Sequence, residues 1–112
     1  MALFTADIVL TASAASIITS GPSDSFLILK ATVCNTDTTA RSVSVYRVPP
    51  AGTADATMLI TDASGASAFI IGPGETKTLP ISGQGIVGGS SLQALASITS
   101  VVVLSATWTT VT

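Results

Sequence analysis

Within the 112 residues, the first spacing that could do chemistry is Gly83-Gln-Gly85-Ile-Val-Gly88, a formal match to G-x-G-x-x-G after a predicted strand. In a dinucleotide-binding turn such glycines let the backbone approach a pyrophosphate held at the next helix N-terminus. That fingerprint also needs a crossover helix and an acidic residue about 20 positions on. No Asp or Glu follows Glu75, so the run reads as a glycine-rich bend between strands.

Other chemistry is equally thin. A Ser or Cys nucleophile needs a base, and with no His only Lys30, Lys77 or a carboxylate could serve. No G-x-S-x-G elbow occurs, and the five Asp and one Glu are scattered singly. Asp37, Asp55 and Asp62 read as turn formers whose side chains bond nearby backbone. No segment holds two acids at alternate positions, which disfavours a calcium loop. The single Cys34 cannot form an internal disulfide or, without His, a tetrahedral zinc site; its place in an apolar run suits a small buried hydrophobe. Trp108 and Tyr46 could form a sugar-stacking platform, but core or interface packing is the better use of so few flat side chains. The sequence therefore names no catalytic residue, cofactor or metal ligand, and the chain is not expected to be an enzyme.

Composition narrows the partners. Charged residues make up 9% of the chain and hydrophobic ones 47%, against about 25% charged in an ordinary globular domain. Ser and Thr, more than a quarter of the residues, must cover most of the outside. Burying a hydroxyl or an Ala costs far less than burying an ion, so such a surface is suited to being covered by other subunits. Lys30, Arg41, Arg47 and Lys77 are the only cations and the net charge is −2, so nucleic acid is not an expected partner. Neither is a membrane, because no apolar run approaches about 20 residues. The N-terminus lacks a cationic region typical of a signal peptide, and the lone Cys agrees with synthesis in a cytoplasm.

The elements that must position these residues follow a period of two. Residues 7–10, 16–19, 26–34, 42–48, 67–71, 76–81 and 102–109 read as strands, with at most a short edge segment at Ile86 and Val87. Residues 92–97 have helical propensity but the spacing of a strand. Residues 56–60 fit a short strand or one helical turn, and 62–65 form a turn. Gly72-Pro73-Gly74-Glu75 reads as a tight turn. About eight short strands predict one all-β domain over 1–112, an antiparallel β-sandwich or jelly-roll barrel.

The strongest strand signal is residues 30–52, read as two extended segments folded back on each other across the polar residues 35–39 and stopped by Pro49-Pro50. On the first strand, Leu27, Leu29, Ala31 and Val33 are expected to face the core, with Phe26, Ile28 and Cys34 on the other side. Phe26, Ile28 and Lys30 would then need a second covering and become a candidate interface. Arg41 and Arg47 flank the second strand, either as solvated edge charges or as intersubunit ion pairs.

The run Val33-Cys-Asn-Thr-Asp-Thr-Thr-Ala-Arg-Ser-Val-Ser-Val-Tyr46, then Val48-Pro-Pro-Ala-Gly52, resembles small β-structured virion proteins of tailed bacteriophages. Ile71-Gly-Pro-Gly-Glu-Thr-Lys-Thr-Leu79 and Gly88-Gly-Ser-Ser-Leu-Gln-Ala-Leu-Ala96 extend the resemblance across roughly residues 16–107. It implies a structural role: a capsid decoration or cement protein, made in the host cytoplasm, that sits on the major capsid protein at the virion surface as a homo-oligomer, a trimer in the implied form. A tail, neck or fibre-adaptor protein is the alternative within that group. A glycan-binding jelly-roll module is the alternative from another class.

Overall fold

The two-residue period carries through to the structure, a computed structural model that describes residues 3–54, 58, 60 and 69–111. Among these residues there are nine strands and no α-helix. They are β1 (Leu3–Val9), β2 (Ala15–Thr19), β3 (Ser25–Asn35), β4 (Arg41–Val48), β5 (Phe69–Ile71), β6 (Thr76–Thr78), β7 (Gly85–Val87), β8 (Ser91–Ala96) and β9 (Val102–Thr110). The ambiguous segment near residue 92 is thus the strand β8. The turn expected at 62–65 and most of 56–60 lie outside the described residues.

Two antiparallel sheets result, one ordered β1-β9-β3-β6 with β7 also on β3, the other β2-β8-β4-β5. The pairings are nested: β1 with β9, β2 with β8, β3 with both β6 and β7, and β4 with β5. A long ribbon of nested pairs rolls up by adding β3 to β9 and β4 to β8. This is the jelly-roll form of a sandwich, in which β6 and β7 act as one strand interrupted in the middle. The rolling buries one face of each sheet. Val102, Leu104 and Ala106 of β9, with Ala31 and Val33 of β3, meet Val43 and Val45 of β4 and Leu92, Ala94 and Ala96 of β8 in one core. Val43 and Val45 alternate with half-buried Ser42 and Ser44, as the sequence pattern required.

Two expectations fail. The segments on either side of residues 35–39 are not a hairpin: β3 and β4 lie in opposite sheets and the turn arches across the core. The run Thr36-Asp-Thr-Thr39 lacks the Asn-Gly or Asp-Gly that a two-residue hairpin turn needs, and each strand has a longer partner elsewhere, β3 in β9 and β4 in β8. The facing assigned to β3 is also corrected. Register shifts at Leu29, so Ile28 opposes Trp108 and Lys30 opposes Thr107. A β-bulge inserts one residue and exchanges the faces beyond it. Ile28 is therefore fully buried, at 0% exposure, while Leu29 is 40% exposed.

Candidate interaction surfaces

The arch from β3 to β4 is held by Asn35, itself 0% exposed. Its Nδ2 donates to the carbonyl oxygens of Thr39 (2.9 Å), Ile71 (3.1 Å) and Gly72 (3.2 Å), and its Oδ1 accepts the Asp37 N–H at 2.9 Å. One short amide thus ties the arch to the turn between β5 and β6. Below it, the Asn35 N–H donates to the Glu75 carbonyl at 2.9 Å. That turn is the expected one: Glu75 N–H reaches the Gly72 carbonyl at 3.1 Å, and Gly74 has φ +67°, a position that favours glycine after Pro73.

Arg41 belongs to the same arch. Its Nε donates to Asp37 Oδ2 at 2.7 Å. The Arg41 guanidinium holds the Asp37 carboxyl below its ordinary range, helped by the Thr38 N–H. Arg41 is engaged within its own chain, as a clamp on the turn rather than a free interface charge.

The other candidate interface residues do not form one patch. Phe26 is half-buried on the core side, edge-on to Phe4 with ring centroids 6.0 Å apart. Ile28 is sealed inside, because the bulge turns it inward and the turn after β6 covers it: Ile28 N–H donates to Gln84 and Gly83 N–H to Ile28, at 2.9 and 2.8 Å. As an interface residue Ile28 is withdrawn. Lys30 stands exposed beyond the bulge on β3, with no ion-pair partner among the described residues. Arg47, on the opposite sheet, donates to Gln84 Oε1 at 3.0 Å. It lines an open groove of about 490 Å³ with Pro49, Gly85, Val87 and Ser90, a shallow concavity without an acid or a nucleophilic pair.

The features that suggested chemistry dissolve into structure. Gly83 and Gly88 have φ of +88° and +58° and bracket β7, so the glycine spacing builds a turn, a strand and another turn. Among the described residues no helix follows it to hold a phosphate. Cys34 is half-buried rather than buried, since Val33 and Asn35 on either side take the inward positions. Trp108 is on the inner face of β9, 9% exposed and stacked on Phe4 at 5.9 Å. Tyr46 is on β4 in the other sheet, on the side away from the core residues Val45 and Val43. They cannot make one stacking platform. No group of acids and cysteine that could hold a metal ion exists among the described residues, and no described helix is long and apolar enough to cross a membrane.

No protein-family model, curated protein or solved structure matches the chain.

The surface that sequence reasoning missed is β1. Leu10, just beyond it, donates its N–H to the Val102 carbonyl at 2.8 Å. In an antiparallel ladder every second residue bonds the same neighbour, so Phe4, Ala6 and Ile8 bond β9. The N–H and C=O groups of Leu3, Thr5, Asp7 and Val9 then point away from the sheet. Those four side chains are exposed too, Leu3 at 65% and Val9 at 54%. The alternation of Phe4, Ala6 and Ile8 with Leu3, Thr5, Asp7 and Val9 was a readable strand signal. Only residues 7–10 were assigned to it.

Proposed function

We propose that this chain is a structural virion protein of a tailed bacteriophage, a decoration or cement protein that binds the major capsid protein and stabilises the head shell. The observation that carries the reading is the division of labour between inside and outside. Asn35, Asp37, Arg41 and Trp108, the side chains best equipped for recognition chemistry, are occupied in internal bonds and packing. Among the described residues the outside is mostly hydroxyls and aliphatics, with Leu3, Val9, Leu29, Ile70 and Val87 exposed on several strands and charges such as Asp7, Lys30 and Arg47 scattered between them. Such a neutral surface gains affinity from many weak contacts repeated by symmetry. The jelly roll is shared by viral shell proteins, lectins and cupins, so the fold is compatible with the reading and the surface carries it. A chain without His lacks the usual cupin ligands, and separation of Trp108 from Tyr46 weakens the glycan alternative.

The test is to mix the purified chain with phage heads stripped of it, count bound copies and follow the heat resistance of the shells. Hundreds of copies and a higher rupture temperature are expected. Six or twelve copies would move the protein to the neck or tail, and failure to bind heads would overturn the reading.

A further inference from the structure

We propose that β1 is a self-pairing edge, through which two copies of this chain join their β1-bearing sheets across a two-fold axis centred on Ala6. The inference rests on β1 alone and goes beyond the virion reading.

Natural sheets protect their edges with short strands, bulges, Pro or Lys. β1 has none of these: it runs seven residues without a register shift and its single charge is Asp7. Of the other edge strands, β2 is bulged between Ser16 and Ile18. β5, β6 and β7 have three residues each. Only β1 offers a long row of free backbone groups among the described residues.

The occupant follows from register. The free groups belong to Leu3, Thr5, Asp7 and Val9, so an antiparallel copy must oppose odd positions to odd positions. Three registers bring most of them together. Opposing Thr5 to Thr5 of the second copy sets Leu3 against Asp7 and leaves Val9 unpaired. Opposing Asp7 to Asp7 places like charges face to face, which destabilises a strand pair. The third register opposes Leu3 to Val9 and Thr5 to Asp7, and satisfies all four residues on each strand. It puts aliphatic beside aliphatic and a hydroxyl donor beside each carboxylate. On the inner face it sets Phe4 beside Ile8 of the second copy and Ala6 beside Ala6. Phe4 is 39% exposed although stacked on Trp108, and this neighbour would cover it. Three of the eight large apolar residues described as exposed, Leu3, Phe4 and Val9, lie on this strand. The contact is isologous and closes after two copies, so it is distinct from the three-fold contact that the phage resemblance implies.

Sedimentation of the full chain over a concentration series tests the pairing. The unaltered chain is expected to dimerise. Thr5→Pro removes only an outward N–H, leaving the β9 ladder intact, and is expected to give a folded monomer with an unchanged circular dichroism spectrum. Thr5→Asp sets Asp against Asp7 twice per dimer and should weaken association about tenfold. The double variant Thr5→Asp with Asp7→Lys restores opposite charges in this register only, and should recover dimerisation. A monomeric wild type, a dimer indifferent to Thr5→Pro, or a double variant as weak as Thr5→Asp would each overturn the proposal. So would a chain that stays monomeric in solution and protects its β1 amides from hydrogen exchange only when bound to phage heads, since the edge would then belong to another protein.

Discussion

The two edges of the larger sheet are built on opposite plans. On one side, β6 and β7 cover β3 in two pieces. The bonds from Asn35 N–H to Glu75 and from Leu79 N–H to Ala31 turn residues 75, 77 and 79 toward β3, leaving only Thr76 and Thr78 with outward backbone groups on β6. The turn carrying Pro80 and Gly83 then interrupts the row. Lys77, at the centre of β6, donates to the Ile70 carbonyl at 3.1 Å and lies 5.5 Å from the Phe69 ring centre, strapping the edge to β5 of the other sheet. On the other side, β1 has a continuous row and no cation. The same sheet thus carries the protective devices at one edge and omits them at the other. A generally sticky protein would lack them at both, so the omission at β1 marks that edge as one meant to be covered.

The largest expected effect comes from breaking what anchors the closed edge. Asn35→Asp replaces a buried donor, which serves three carbonyl oxygens, with a carboxylate facing them. We expect a loss of at least about 3 kcal/mol at neutral pH in chemical denaturation. The sign of its pH dependence is fixed. Burial among carbonyl oxygens raises the folded-state pKa of the new acid above its value of about 3.9 in the unfolded chain. The ionisation part of the penalty is therefore absent below the unfolded pKa, grows as pH rises from there and is complete above the folded pKa, on top of the pH-independent loss of the amide donor. A variant as stable as wild type at neutral pH would show that the amide is not the anchor.

A smaller effect tests the bulge that sets where the closed edge is interrupted. Ile28→Ala should cost about 3 kcal/mol, because the bulge has delivered that side chain to the core. Its neighbour Leu29→Ala should stay within about 0.5 kcal/mol. Thermal or denaturant unfolding of the pair reads the register directly, and the reverse ranking would move the bulge.

Those two residues also show where the sequence was legible. The alternation of Val102, Leu104, Ala106 and Trp108 permits only one facing, and β9 follows it. Val43 and Val45 among serines are equally unambiguous, and Gly72-Pro73-Gly74-Glu75 announces its turn. Leu27, Ile28 and Leu29 are all apolar, so their order cannot reveal which one is the inserted residue. That depends on how the turn at Gly83 and Gln84 grips Ile28 from more than fifty positions away. The strand pair around residues 35–39 failed for a similar reason: local propensity identified two strands and a polar turn, but long partners on both sides decided that the turn crosses between sheets. Asn35 read as one polar turn residue among several, and only the arch makes it buried. The candidate interface was the least legible part, because which of Phe26, Ile28, Lys30, Arg41 and Arg47 stand on the surface depends on the bulge and on sheet membership. Strand propensity carries no information about that.

The smallest effect separates the two means of closing an edge, the cation and the interruption. Lys77→Val, made together with Thr5→Pro so that β1 is blocked, leaves an apolar residue at the centre of β6 and removes the strap to Ile70 and Phe69. The lost contacts are exposed, and stability should fall by less than about 1 kcal/mol. If the interruption does the closing, this double variant stays monomeric in sedimentation at concentrations where wild type pairs, since Thr76 and Thr78 offer too short a row to hold a second strand. Renewed dimerisation would instead make Lys77 the guard. The absence of a lysine on β1 would then explain the contrast between the edges by itself.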